Sequence, residues 1–350
     1  MRLKSFSLAA FILGATVAAA GAQDLPKREF KVLGTWSNLS TFQKIEQPFW
    51  TEDLPKASNG RISGQIKSQS ELGLKGQELM RMLRLGVFEF AHALPIYIAE
   101  DAVVEGVDIA GVAKDFATAR KVTEVYAAQM DEVMSKKYGA KLLNYYPFPA
   151  QVIYCNAPIK SVADLKGKKV RVQGTSQGDI VEALGGIAVT IAFAEVVPAL
   201  QRGTVECGIT GTMPGFKAGW HEVVTHVINM PVGFTVSFTA VSLAVWNKLD
   251  DKTKAFLTAE AKKMEDKGWK ISEGENSAGL ACTTGKGTCP ESGKPGKLVL
   301  VEPTKEDIAL REKAMQDVVL KRWAKRCGAE CVAKWNETVG KLVGLTASGS

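Results

Sequence analysis

Short apolar runs bounded by glycine or polar turns alternate along this 350-residue chain with longer stretches whose apolar residues recur every three or four positions. The runs predict strands and the longer stretches predict helices. In the first part of the chain, strands are expected at Phe30–Thr35, Ile62–Ser68 and Val87–Ala91. Helices are expected around Phe42–Leu54, closed by Ser58-Asn59-Gly60, and over Gln77–Leu85, stopped by Gly86. A long amphipathic helix is expected over Thr118–Tyr138, with Val122, Val125, Tyr126, Met130 and Val133 at helical spacing and Gly139 as its terminator.

A second cycle begins near Pro147. Gln151–Cys155 reads as a strand, and Ser161-Val-Ala-Asp164 has the spacing of a capped helix start. Strands at Lys169–Gln173, Ala188–Ile191 and Val205–Ile209 alternate with helices at Gln177–Leu184 and Ala194–Gln201. A strand-rich return over Thr235–Val245 leads into a long helix, Asp251–Ser272, of a length that lets it span both halves of the chain. The Gly/Thr loop between Cys282 and Cys289 follows, then a strand at Lys297–Val301 and helices at Lys305–Lys325 and Glu330–Leu342.

At roughly 150 residues per domain, this length holds two lobes. The alternation of strands and helices predicts that both are α/β, built on parallel sheets. The chain passes from the first lobe to the second and back near Pro147 and Phe234, which assigns residues 23–147 and 235–275 to lobe one and residues 148–234 and 276–350 to lobe two. Two crossing segments make a hinge. A hinge between two α/β lobes suggests closure over a small ligand in the cleft between them.

Composition narrows the classes. With 46% hydrophobic and 23% charged residues, the chain is neither disordered nor a polytopic membrane protein. An excess of seven positive charges, spread without a basic block, is no nucleic-acid footprint and favours a small anionic partner. Met1–Lys4 is a short basic segment, and the apolar run Phe6–Ala22 ends in Ala20-Gly21-Ala22. Residues 1–22 therefore read as a secretory signal peptide, cleaved near Ala22-Gln23, which places the mature chain in the periplasm. Its removal takes away Arg2 and Lys4, two of the seven excess charges.

An oxidising compartment makes the six cysteines disulfide candidates. Cys282 with Cys289 and Cys327 with Cys331 would close locally, and the two cross-pairings of these four remain open. Cys155 and Cys207 each end an apolar strand, where they pair or stay as buried thiols. No CxxC and no nearby histidine supports zinc, and no cofactor is expected.

One motif invites an enzymatic reading. Gly174-Thr-Ser176-Gln-Gly178 is a G-x-S-x-G pentapeptide between a predicted strand and a predicted helix, the setting of a nucleophile elbow. A serine hydrolase also needs an acid and then a histidine downstream. Only His92, His221 and His226 exist, and none lies in the stretch after His226. The chain is accordingly read as a non-enzyme.

The stretch Asn156-Ala-Pro-Ile-Lys-Ser-Val-Ala-Asp164-Leu-Lys-Gly167-Lys-Lys-Val-Arg171-Val resembles the signature of the solute-binding subunits of tripartite ATP-independent periplasmic (TRAP) transporters, in the dicarboxylate-binding-protein-like family. The block from Ala192 to Glu206, including Phe193, Glu195 and Gly203, resembles the family's next motif, and His221-Glu222-Val223 a further one. Gly60-Arg61-Ile62, Leu72-Gly73 and Leu83-Arg-Leu-Gly86 resemble its positions in lobe one. The resemblance covers about residues 30–275 and leaves the tail with its cysteine loop outside the pattern.

It implies a periplasmic-binding-protein-like α/β fold with two lobes, a ligand cleft, hinge strands and a long lobe-spanning helix. It also implies a monomeric receptor that delivers an organic acid to small and large integral-membrane permease subunits. Arg171 matches the family arginine that holds a ligand carboxylate; its place near a strand's carboxyl end suits that role, since a guanidinium offers paired donors to a carboxylate. Phe193 falls on an aromatic position that packs against ligand.

Gln151 stands where many members carry a second arginine, and Thr210 where they carry asparagine, so a monocarboxylate is expected. Trp36, His92 and Trp220 fall at loop ends or beside a crossing and are further candidates for the ligand site. An ABC-type binding protein shares the broad fold, and a long helix bridging both lobes would favour the TRAP reading over it.

Overall fold

The computed structural model describes residues 25–98 and 101–349; the expected signal peptide at 1–22 and its cleavage point lie outside the described residues. In chain order the strands are β1 (Arg28–Gly34), β2 (Ile62–Ser68), β3 (Phe90–Ala93), β4 (Ala140–Pro147), β5 (Gln151–Cys155), β6 (Lys169–Val172), β7 (Ile187–Thr190), β8 (Cys207–Gly211), β9 (His226–Gly233), β10 (Val236–Ser242) and β11 (Val299–Val301). They form two sheets. One, of lobe one, is ordered β2-β1-β3-β10-β4, and the other, of lobe two, β11-β9-β5-β8-β6-β7.

Both sheets are mixed, where the sequence pattern predicts parallel ones. β10 runs antiparallel to β3 and β4, and β5 runs antiparallel to β8 and β9. The cause is the pair of crossings. β4 ends at Pro147 and β5 starts at Gln151, while β9 ends at Gly233 and β10 starts at Val236. These short connections carry the chain directly from the cleft end of one sheet into the cleft end of the other. Each crossing strand therefore enters its new sheet from the cleft and runs against its neighbours. The carboxyl ends of β1, β3, β6 and β8 are left pointing at the cleft, where open α/β sheets hold ligands.

The long helix Asp251–Thr284 binds both lobes and runs past the expected end at Ser272. Its middle lies on β4: Asn144 Nδ2 donates to the Ala261 carbonyl at 2.8 Å, and Ser272 Oγ to the Pro147 carbonyl at 2.6 Å. One turn later Asn276 Oδ1 accepts the backbone N–H of Ala150 in the crossing at 3.1 Å. Two glycines permit the close approach. A side chain at Gly268 would come within 2.6 Å of Tyr146, and one at Gly279 within 2.3 Å of the Met213 backbone nitrogen. The helix thus touches lobe one at Gly268 and lobe two at Gly279.

Residues 276–350, assigned to lobe two from the sequence, divide between the lobes. β11 pairs with β9 in the second sheet. The helix Lys305–Ala314 that follows stays on lobe two, where Asp307 accepts the Ser161 hydroxyl at 2.5 Å and Arg311 donates to the Pro231 carbonyl at 2.8 Å. The later helices pack back on lobe one, where Trp323 and Trp335 share a core with Leu79, Val122, Tyr126 and Tyr145. Their indole nitrogens donate to the carbonyls of Ala102 and Gly106 at 2.8 and 3.0 Å. An amphipathic helix advertises an apolar face, and nothing in that face says which lobe will cover it.

Three disulfides are present: Cys155–Cys207, Cys282–Cys289 and Cys327–Cys331. The first links β5 to β8 at directly opposed positions. Cys282 lies in the last turn of the long helix rather than in a loop, so its bridge anchors the following segment to the helix end.

Candidate functional site

β6 has Lys169 exposed and its last three residues buried, although only Val170 and Val172 face an apolar core. Arg171, between them, turns to the opposite face. Its register partner on β8 is Gly208, where a Cβ would come within 2.9 Å of the Trp220 ring. The missing side chain makes room for Trp220 beside the guanidinium. The Arg171 guanidinium carbon lies 5.7 Å from the Trp220 ring centre and 5.9 Å from that of Phe193, within range for cation–π attraction. Phe193 and Trp220 stack with centroids 6.1 Å apart.

Arg171 is completely buried. Its Nε donates to the Ile191 carbonyl at 3.0 Å and its Nη1 to the Ile209 carbonyl at 2.8 Å. Nη2 has no hydrogen-bond partner, and neither has the buried indole nitrogen of Trp220. Burial lowers the guanidinium pKa to about 10, and the facing Tyr97 hydroxyl opposes that shift, so the group stays cationic at neutral pH. Among the described residues no carboxylate pairs with it. A buried charge without a counter-ion is costly unless something of opposite sign completes it. This group is therefore suited to an anion.

Around Arg171 the two lobes meet through aromatic rings. Trp36 of lobe one lies 5.2 Å from Phe193, 6.3 Å from Phe148 in the crossing and 6.1 Å from Tyr97, measured between ring centres. Between them is a cavity of about 20 Å³ lined by Trp36, Phe193, Gln151, Gln173, Thr210 and Thr235. It holds about one water molecule, so an organic solute enters only when the lobes part. Gln173 Nε2 donates to Gln151 Oε1 at 2.7 Å, and Gln151 Nε2 donates to the Pro149 carbonyl at 3.0 Å. This neutral pair faces the cavity with polar groups that can be exchanged.

The structure thus brings together Arg171, Phe193, Gln151, Thr210, Trp36 and Trp220. His92 does not join them, contrary to the expectation that it faces the cleft. It is buried inside lobe one, where its Nε2 accepts the Trp50 indole N–H at 2.7 Å. The neutral ring then carries its proton on Nδ1, which donates to Tyr146 at 2.8 Å and to Thr239 at 3.1 Å. Tyr146 in turn donates to the buried Glu46 carboxylate at 3.1 Å. Burial lowers the His92 pKa to about 3 and raises that of Glu46 to about 7, the latter opposed by hydrogen bonds from Thr35.

Gln173 and Thr235 line the same cavity and Tyr97 faces Arg171, and all three escape the sequence reading. Thr235 sits in the return crossing with φ of 43°, a left-handed conformation that is rare for a β-branched residue. Its buried hydroxyl has no partner. Only its position next to Phe234, the expected crossing, pointed towards it.

Ser176 is no nucleophile. It is buried, its Oγ accepts the Ala110 N–H at 3.3 Å, and its own N–H donates to Glu105 at 2.6 Å. No histidine reaches it: His221 stacks on Phe216 with centroids 4.6 Å apart, and His226 pairs with Thr225 at 2.7 Å. The pentapeptide instead starts a helix, Thr175–Ala183, whose first turn is held by lobe one. A second contact between the lobes lies after the Cys282–Cys289 bridge. There Glu291 takes Lys44 of lobe one at 2.6 Å and Lys217 of lobe two at 3.1 Å.

Comparisons with known proteins identify the family and the fold. The sequence model of the bacterial extracellular solute-binding proteins, family 7, matches residues 32–326. The chain is similar to the C4-dicarboxylate-binding periplasmic protein of Rhodobacter capsulatus, 25% identical over 284 residues that span 79% of this chain and 81% of that one. It is 24% identical over 241 residues to the sialic acid-binding periplasmic protein of Vibrio cholerae, spanning 67% and 74%. Its fold matches that of a Bordetella pertussis extracytoplasmic solute receptor binding pyroglutamic acid, with a TM-score of 0.77, 19% identity and coverage of 89% of this chain and 99% of that one. A TRAP periplasmic solute-binding protein from Desulfovibrio salexigens with bound orotic acid gives a TM-score of 0.79 at 17% identity, covering 90% and 100%.

Proposed function

The chain belongs to family 7 of the bacterial extracellular solute-binding proteins, and from that membership we propose that it captures a monocarboxylic acid through Arg171 for delivery to the small and large integral-membrane subunits of a TRAP permease. It is a TRAP-type solute receptor and not an enzyme. Family membership also removes the ABC-type alternative. The working compartment is the periplasm, reached by cleavage of the leader near Ala22-Gln23.

The observation that carries the ligand class is the fully buried Arg171 with one guanidinium nitrogen unpartnered and no carboxylate beside it. A ligand carboxylate would supply the missing charge and acceptors. Gln151, Gln173 and Thr210 add polar groups without charge, which supports one anionic group rather than two. Trp36, Phe193 and Trp220 surround it with ring surface, which supports a compact body with an apolar or unsaturated face. The relatives named above bind acids, and this chain is assigned to the same broad class.

The test is thermal shift with pyroglutamate, orotate, glucuronate, malonate and succinate, since a ligand that binds only the folded state raises its melting temperature. The single-carboxylate acids are expected to raise it more than malonate or succinate, and Arg171→Ala to abolish the shift. No shift with any acid, or an unchanged shift in the variant, would overturn the reading.

A further inference from the structure

Beside the small cavity lies a much larger opening, a groove of about 700 Å³ between the lobes. Its lobe-one wall includes Arg81 and Arg84 of the helix Leu79–Arg84, together with Tyr97. Its lobe-two wall runs from Gln173 along the helix Thr175–Ala183 to Asp179 and Glu182. Gln173 lines both the groove and the cavity, and Tyr97 lines the groove while facing the Arg171 guanidinium. The groove therefore ends against the two side chains that separate it from the buried arginine.

The charges along this groove are not balanced. On the lobe-two wall Asp179 is held by Arg322 at 3.0 Å and Arg326 at 2.8 Å, and Glu182 by Arg322 at 2.5 Å. Both carboxylates are thus paired from behind by the carboxyl-terminal helices, although Arg326 is shared with Glu105. Arg81 and Arg84 are exposed and form no ion pair with any described residue. What the opening presents is two guanidinium groups with no ion-pair partner among the described residues, within a concave wall that concentrates their field.

We propose that this groove is the entry vestibule of the receptor: Arg81 and Arg84 draw the organic-acid anion to the cleft, and Tyr97 and Gln173, on opposite walls, are the side chains it passes to reach Arg171 as the lobes part. The proposal rests on the organic-acid reading above and adds where the anion first binds and which residues set its capture rate. Surface charges that do not touch the bound ligand act on the association rate, and their effect is screened by salt.

The experiment is stopped-flow tryptophan fluorescence, with Trp36 and Trp220 as reporters, on whichever of pyroglutamate, orotate and glucuronate binds. Wild type is compared with Arg81→Gln/Arg84→Gln, with Arg81→Glu/Arg84→Glu and with Lys56→Gln/Lys67→Gln, which removes two charges outside the groove. At low salt the glutamate pair is expected to slow association by about tenfold or more and the glutamine pair by less. The dissociation rate should stay at the wild-type value and the differences should vanish at about 1 M salt. Association by the glutamate pair no slower than by the Lys56/Lys67 control would overturn the vestibule while leaving the acid receptor intact. Silence of all three acids with wild type would remove the acid receptor itself, and the vestibule with it.

Discussion

Glu105 of lobe one accepts the backbone N–H of Ser176 in lobe two at 2.6 Å, and its other carboxylate oxygen holds Arg326 at 3.0 Å. The first bond crosses the cleft, so it exists only while the lobes are together. Hydrogen bonds to charged groups contribute about 1.5–3 kcal/mol. Glu105→Gln is expected to weaken acid binding by roughly tenfold or more through faster dissociation, read by stopped-flow release. Ser176→Ala, which keeps the backbone N–H, should bind as wild type does, and a fluorophosphonate probe should leave Ser176 unlabelled.

Arg171 is fully buried with one guanidinium nitrogen unpartnered, an arrangement that costs stability unless an anion completes it. Removing a buried, incompletely paired charge from a core is often neutral or stabilising. Arg171→Met should therefore leave the ligand-free melting temperature unchanged or raise it, while acid affinity falls by about 2–5 kcal/mol. Calorimetry of the free and acid-loaded variant reads both. A strongly destabilised variant would mean that Arg171 serves the fold instead.

Glu46 and His92 make opposite contributions to the pH dependence of stability. With its pKa raised from 4.5 to about 7, Glu46 stabilises the fold fully below pH 4.5, and that stabilisation is lost as the pH rises towards 7. With its pKa lowered from 6.5 to about 3, His92 stabilises fully above pH 6.5, and loses that contribution as the pH falls towards 3. Between these limits each slope reaches at most about 1.4 kcal/mol per pH unit, and the two cancel. Asp108, whose pKa burial raises from 3.8 to about 6, adds a further fall below pH 6, so urea unfolding of wild type should lose stability from pH 4.5 to 6 and level off between 6 and 6.5. Relative to wild type, Glu46→Gln should make stability rise with pH, and His92→Asn should make it fall; equal slopes in both variants would contradict the assignment.

Thr235 offers a finer probe of the cavity. Thr235→Val keeps the shape and removes a hydroxyl that is buried without a partner. The ligand-free protein should be no less stable, and acid affinity should drop by about 1 kcal/mol if that hydroxyl bonds the ligand. Titration calorimetry decides it: unchanged affinity would remove Thr235 from the ligand's contacts.

The position of Arg171 near the cleft end of its strand was legible from the strand pattern around it, and the long helix because its composition leaves few other choices. His92 misled for a physical reason. All four residues of β3 are buried, since this inner strand is covered on both faces, so alternation carries no facing information. Its partner Trp50 lies 42 positions away. Tyr97 and Gln173 become neighbours of Arg171 only through the approach of elements distant in sequence, and the backbone angle of Thr235 has no mark in the residue type. The carboxyl-terminal helices showed their apolar faces in the sequence, but the lobe that covers them is decided by shape.

The close approaches at Gly268 and Gly279 have a mechanical meaning. Eleven helical residues separate them, a span of about 16 Å along one continuous rod. With one lobe seated at each point, the rod sets their spacing, and it cannot lengthen without breaking its own hydrogen bonds. The cleft therefore opens by turning one lobe about this strut, so the gap widens at the rim far more than at the crossings beside the helix.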